Sequence, residues 1–375
     1  MRGSTHRQIT STQADRTGIS LPTPWAARLA IVLICLLLAA CSSTPQAATQ
    51  PLPASLKVMT HDSFALSEQT LQTFQEKYNV EVRFVKSGDT GTALNKAILS
   101  KEAPLADILY GVDNTFLSRA LDEGIFEAYE SPILEKIDDQ FKLDPQNRVL
   151  PVDYGDVCLN YDIGYFAEKG LTPPTSLDDL LQPQYKSLLV VQNPATSSPG
   201  LAFLLTTIGQ FGPDGYLAYW QKLVDNDVLV VNDWETAYYT EFSGSSGQGP
   251  RPLVVSYNSS PAFEVIYAET EISEPPTAAV VNDGACFRQI EFAGILKGTK
   301  NRQLAEKWID FMLSTAFQQD MPLQMFVFPV NPAAQLEEAF INHLAIPQKT
   351  SFVSPQDIAD NREQWLQDWT EAVLR

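Results

Sequence analysis

Histidine is scarce: His6, His61 and His343 are the only three in 375 residues. They are far apart along the chain, which leaves little material for a histidine-rich metal site or a histidine-based catalytic triad. Basic residues are also few, with 26 Lys and Arg against 45 Asp and Glu and a formal net charge of −19. Without a basic patch, nucleic acid is a poor candidate partner. Four cysteines are too few for a disulfide-stapled scaffold in a chain of this length. The apolar run Leu29–Leu38 (LAIVLICLLL) falls short of the roughly 17–25 residues that span a bilayer. The nucleophile elbow G-x-S-x-G is missing too. In SGSSGQG (residues 243–249) Gln248 stands where the final glycine belongs, and no base is evident beside a nucleophile. Catalysis is therefore not expected.

What is present begins with an address. Arg28 precedes the apolar run, which ends Leu38-Ala39-Ala40-Cys41. A short h-region closing on small residues is a secretory signal, and the ending resembles the lipobox of bacterial lipoproteins. It implies that residues 1–40 are removed and that Cys41 is acylated with fatty chains such as palmitate. Cys41 would then anchor the chain to the cell membrane on its outer or periplasmic side. The stretch before Arg28 is long for an n-region. Residues 41–55, rich in Ser, Thr, Pro, Ala and Gln and uncharged, cannot bury a core and read as a flexible tether. Cys158 and Cys286 remain, in an oxidising compartment where pairing is allowed. Two free thiols are the alternative, because sequence does not give the Cα separation that a bridge requires.

From Leu56 the chain alternates short apolar runs with amphipathic ones. LKVMT (56–60), VEVRFV (80–85) and ADILYG (106–111) read as strands, with helices after Ser67, over 92–100, and ending near Gly124. The pattern restarts after VLPVDYG (149–155), with strands at 187–192, 228–231, 252–257 and 287–296, and helices at 200–210, 302–313 and 315–321. Ser354-Pro355 opens a last helix through Leu374. This order predicts an α/β fold whose crossovers make mainly parallel sheets covered by helices. Two such halves imply two lobes with a ligand cleft between them, at strand ends and helix starts.

Several residues stand where a ligand would meet them. TSSPG (196–200) and NSSPA (258–262) each put Ser at a helix cap and Pro at the first helical position, where free N–H groups and hydroxyls can hold an anion. Plain capping explains either one alone. Trp234, Tyr257, Phe263, Phe326 and Phe328 follow or flank strands and offer ring faces to flat or cationic groups; core packing is the alternative. Asp89, in the SGDTG loop (87–91), could neutralise a cation or merely shape a turn.

In chain order, MTHDSF (59–64), SGDTG, DILYGVDN (107–114), VDYGD (152–156), NPATSSPGL (193–201), DWETAY (233–238), VVSYNSSPA (254–262) and FPVN (328–331) are similar to segments of the periplasmic thiamine-binding proteins. The resemblance runs from about Leu56 to Arg375. It implies a type II binding-protein fold, with lobe I from 56–152 plus about 288–328 and lobe II from 153–287 plus about 329–375. It implies thiamine or a thiamine phosphate as ligand, ABC permease and ATPase subunits as partners, a monomer, and neither cofactor nor metal. Asp89 matches the carboxylate near the thiamine cation. Ser197 matches a hydroxyl that reaches the phosphate or hydroxyethyl end. Trp234 and Tyr257 match cleft contacts. His61 and Phe263 stand where the family can use Tyr, and Phe326 where it can use Trp. These changes keep ring faces and drop hydrogen-bond donors. Within the same fold, a polyamine or aminophosphonate remains an alternative ligand, as does ferric iron on Tyr238 and Tyr239.

Overall fold

The computed structural model describes residues 54–245 and 248–375. The leader, Cys41 and the tether up to residue 53 lie outside the described residues. The chain runs β1 (Ala54–Thr60), α1 (Glu68–Tyr78), β2 (Val80–Lys86), α2 (Thr90–Leu99), β3 (Ile108–Asp113), α3 (Leu117–Asp122), β4 (Phe126–Glu127) and then the long β5 (Leu150–Asp162). It continues through α4 (Ile163–Lys169), β6 (Leu189–Gln192), α5 (Ser198–Phe211), α6 (Tyr216–Asp225), β7 (Leu229–Val231), β8 (Leu253–Tyr257), α7 (Ser260–Ile266) and β9 (Thr277–Val280). The last part is β10 (Phe287–Leu296), α8 (Arg302–Met312), α9 (Thr315–Met325), β11 (Phe328–Pro329), α10 (Glu338–Asn342) and α11 (Pro355–Val373). Among the described residues, no helix is long and apolar enough to cross a membrane.

The strands are ordered β2-β1-β3-β10-β5-β8-β6-β7. Each outer trio is parallel: β1 pairs with β2 and β3, and β6 with β7 and β8. Between them β5 and β10 run antiparallel to their neighbours. The first half of β5 pairs with β10 and its second half with β8 and β9, while the second half of β10 pairs with β3. These two strands thus belong to both halves of a two-lobed α/β molecule, and the α/β crossovers in each trio put helices over the sheets.

Local chemistry accounts for the elements. Ser67 caps α1, its side chain accepting from the Thr70 N–H, and Ser354 caps α11 through the Asp357 N–H. Helix α5 is buried along nearly its whole length, from Ser198 to Ile208, as expected for a helix apolar on every side. Trp220 of α6 donates to Thr207 of α5 at 3.0 Å and meets Trp369 of α11 edge to face at 5.4 Å, which fixes the C-terminal helix to the second half. The Sγ atoms of Cys158 in β5 and Cys286 just before β10 are bonded at 2.07 Å.

Several boundaries differ from the sequence reading. Ala54 and Ser55, expected in the tether, already pair with Val80 and Glu81. The two Ser-Pro helices start one residue earlier than expected, with Ser197 and Ser259 as caps and Ser198 and Ser260 inside the helices. Helix α9 runs on to Met325 despite Pro322.

Candidate functional site

Parallel strands in one lobe end on the same side, so the segments leaving them converge. His61 follows β1, Asp89 follows β2, Ser198 opens α5 beyond β6, Trp234 follows β7 and Tyr257 ends β8. With Phe263 of α7, Phe326 after α9 and Glu291 of β10, they line one cavity that is open to solvent. Of the residues singled out in the sequence, eight line it: His61, Asp89, Trp234, Tyr238, Tyr239, Tyr257, Phe263 and Phe326. Ser197 and Phe328 do not; Ser197 is buried one position behind Ser198, and Phe328 is buried against Tyr154.

Asp89 sits at the rim where the halves meet. As the cap of α2 it accepts from the Thr90 N–H at 2.8 Å, and its other oxygen accepts from the Trp234 N–H at 3.1 Å. Gly91 donates to the Thr196 carbonyl at 3.0 Å. A Cβ on Gly91 would stand 2.8 Å from the Ala195 carbonyl oxygen, so only glycine permits this approach. Burial raises the Asp89 pKa to about 6; the Ser197 hydroxyl and the two N–H donors oppose the rise, and Asp233 adds to it. The Ser198 hydroxyl has no hydrogen-bond partner.

One wall is aromatic. The Trp234 ring stacks on Tyr238 at 5.0 Å and 14°, and its Nε1 donates to Ser256 at 3.0 Å. Ser256 in turn shares a 2.8 Å hydrogen bond with Ser260. Tyr239 stands edge-on to Trp234, and Phe263 edge-on to Phe326 at 4.5 Å. Phe326 has φ +55°, a left-handed conformation that costs a bulky residue on the order of 1–3 kcal/mol. Its carbonyl accepts from Ser259 Oγ, which helps hold the backbone in that turn.

Opposite lies an acidic floor that the sequence reading passed over. Glu291 is 5% exposed, and its Oε1 lies 3.7 Å from His61 Nε2. The Tyr110 hydroxyl is 2.7 Å from Asp153 Oδ2 and 3.2 Å from Glu291 Oε2. Burial raises Glu291 well above the usual carboxyl range, with Asp153 adding to it; burial likewise lifts Asp153 to about 7. His61 goes the other way, to about 4, because burial disfavours its cation. The clue in the sequence was a carboxylate inside the apolar run FRQIEFAGIL, since a charge in a buried strand demands partners. Tyr238 and Tyr239 also line the cavity.

A cleft at the carboxyl ends of parallel strands, between two lobes joined by shared antiparallel strands, defines a type II solute-binding protein. The chain matches the family model described as bacterial extracellular solute-binding protein over residues 103–361, and it belongs to that family. A thiamine-binding periplasmic protein of Brucella suis biovar 1 is 31% identical over 333 residues, covering 86% of this chain and 92% of the relative. One from Salmonella typhimurium is 32% identical over 332 residues, 85% of this chain and 94% of the relative. A solved periplasmic thiamin binding protein superposes with a TM-score of 0.74 at 27% identity, covering 87% of this chain and 98% of that one.

Proposed function

We propose that this protein captures thiamine, or its monophosphate, outside the cell membrane and delivers it to an ABC permease with its ATPase. The observation that carries this reading is the lining of the cleft. Ring faces surround three carboxyl-bearing residues, Asp89, Glu235 and Glu291, and no lysine or arginine lines the cavity among the described residues. Such a lining suits a flat, permanently cationic ligand. It disfavours phosphonates and, by the same argument, the doubly phosphorylated vitamin. A hydroxyethyl or monophosphate tail would meet Ser198 at the start of α5, where N–H groups and the helix dipole favour negative charge.

Iron fits less well. The Tyr238 hydroxyl donates to Glu264 at 2.7 Å, and burial raises Tyr239 to about 12, so the phenolates that would bind a ferric ion are disfavoured. The relatives bind and carry, and binding alone accounts for this cleft. On this reading the lobes comprise 56–152 with about 288–328, and 153–287 with about 329–375, closing about β5 and β10. Cys41 carries the lipid, and the protein acts as a monomer.

Calorimetric titration with thiamine, its monophosphate and its diphosphate tests the ligand. The expected order of affinity is thiamine and monophosphate above diphosphate; no heat and no melting shift with any of the three would sink the proposal. Incorporation of labelled palmitate, abolished in Cys41→Ala, tests the anchor.

A further inference from the structure

The floor of the cleft has a donor and an acceptor that nothing within the protein uses. His61 is 8% exposed and its Nε2 has no hydrogen-bond partner. Glu291 Oε1 lies 3.7 Å from that nitrogen, and both residues line the cavity. The backbone is built to bring them together. Pairing of β10 with β3 shifts register between Phe292 and Ala293, leaving Gly111 as an extra residue of β3 at φ +96°. Pairing of β10 with β5 shifts between Glu291 and Phe292. Such bulges re-aim side chains. A Cβ on Gly111 would lie 2.6 Å from His61 Cδ2 and 3.7 Å from Glu291 Oε1, so the glycine makes room for the pair.

We propose that His61 Nε2 and Glu291 Oε1 together read the amidine edge of the ligand's aminopyrimidine, a ring nitrogen beside an exocyclic amine. This deepens the thiamine reading and rests on it. The groups facing Glu291 are His61 after β1, Tyr110 and Asp113 of β3, Asp153 of β5 and Tyr257 of β8. None is a lysine or arginine, and Arg288 on the same strand is bound to Asp156 at 2.6 and 2.9 Å. Two facing acids that share Tyr110 do not ionise together. A proton on Glu291 Oε2 points toward Asp153, whose Oδ1 has no partner of its own. Oε1 is then left as an acceptor for the amine. Neutral His61, protonated on Nε2, donates to the ring nitrogen. A ligand with a carbonyl and a ring N–H at that edge has both polarities reversed, and each would face a like group.

Oxythiamine, whose 4′ amine is replaced by oxo, makes the test. The wild-type protein is expected to bind thiamine at least 30-fold more tightly than oxythiamine by calorimetry. Glu291→Leu should reduce that ratio to within about threefold, mainly by weakening thiamine. Glu291→Gln, which can still offer its amide oxygen, should keep the preference. His61→Phe, which retains a ring, tests the donor independently of whether Glu291→Leu folds, and should cut the ratio about tenfold. Equal wild-type affinity for both ligands, or an unchanged ratio in Glu291→Leu or His61→Phe, would overturn the assignment while leaving thiamine as cargo. A wild-type protein that binds neither would overturn the thiamine reading and this inference with it.

Discussion

Asp89 carries two loads. Its carboxylate accepts from N–H groups on both sides of the cleft, and it is one of three acidic residues in the lining. Asn at this position keeps one oxygen to accept a hydrogen bond and removes the charge. Asp89→Asn is therefore expected to lower thiamine affinity about tenfold or more with little change in melting temperature. Unchanged affinity would remove Asp89 from the site. Gly111 is a harsher case. Alanine there combines an unfavourable φ with a 2.6 Å contact to His61, so Gly111→Ala should cost on the order of 1–3 kcal/mol of stability and weaken binding as His61 is displaced. Denaturant unfolding and titration read the two effects separately. At this scale, rings and loops were the more readable part of the sequence: aromatic residues after strands and an acid in a Gly-rich loop announce themselves. Glu291 did not stand out, because in isolation a Glu in FRQIEFAGIL is what an alternating half-exposed strand would also contain. Only the burial of both its faces makes it an anomaly.

At the scale of elements, alternation and capping residues located most strands and helices to within a few residues. The Ser-Pro starts slipped by one because proline is tolerated throughout the first helical turn and does not mark its first residue. The bulges opposite Glu291 and Phe292 have no local signature beyond Gly111, since a bulge is a property of two strands and one sequence window shows a single strand. The bond between Cys158 and Cys286 joins β5 to the approach of β10 across 128 residues. Chain-entropy arguments give such a closure several kcal/mol. Reduction, or Cys158→Ala with Cys286→Ala, should lower the melting temperature by about 5–10 °C. A shift under 1 °C in calorimetry would show that the strand pairing alone suffices.

For the whole molecule, the notable quantity is protons held in the interior. Burial raises Asp89 to about 6 and Asp113 and Asp153 to about 7, and Glu291 is raised as well. Between pH 4 and 7 the folded protein keeps protons on these carboxyls that the unfolded chain has released, so stability falls as pH rises through that window. His61 opposes this: its folded value near 4 means that its contribution grows as pH rises from 4 toward 6.5. Burial also raises Glu264 to about 6, and one group against five leaves the carboxyl trend dominant. The unliganded protein is expected to melt several degrees higher at pH 5.5 than at pH 7.5, with saturating thiamine narrowing the gap because a bound cation favours the ionised acids. Scanning calorimetry at both pH values checks this, and a melting point that climbs with pH would contradict it. None of this was legible from a net charge of −19, which counts acids without saying which are enclosed.

The Cys158–Cys286 bond has a further consequence for what a backbone cut does to the molecule. It turns the stretch between the two cysteines into a covalently closed hoop, joined to the remainder of the chain through β5 and β10. A single cut inside the hoop opens it without parting the molecule, and the fragments stay tethered until a reductant arrives. A cut between the two cysteines thus leaves both fragments covalently joined, which a linear chain of the same fold would not ensure.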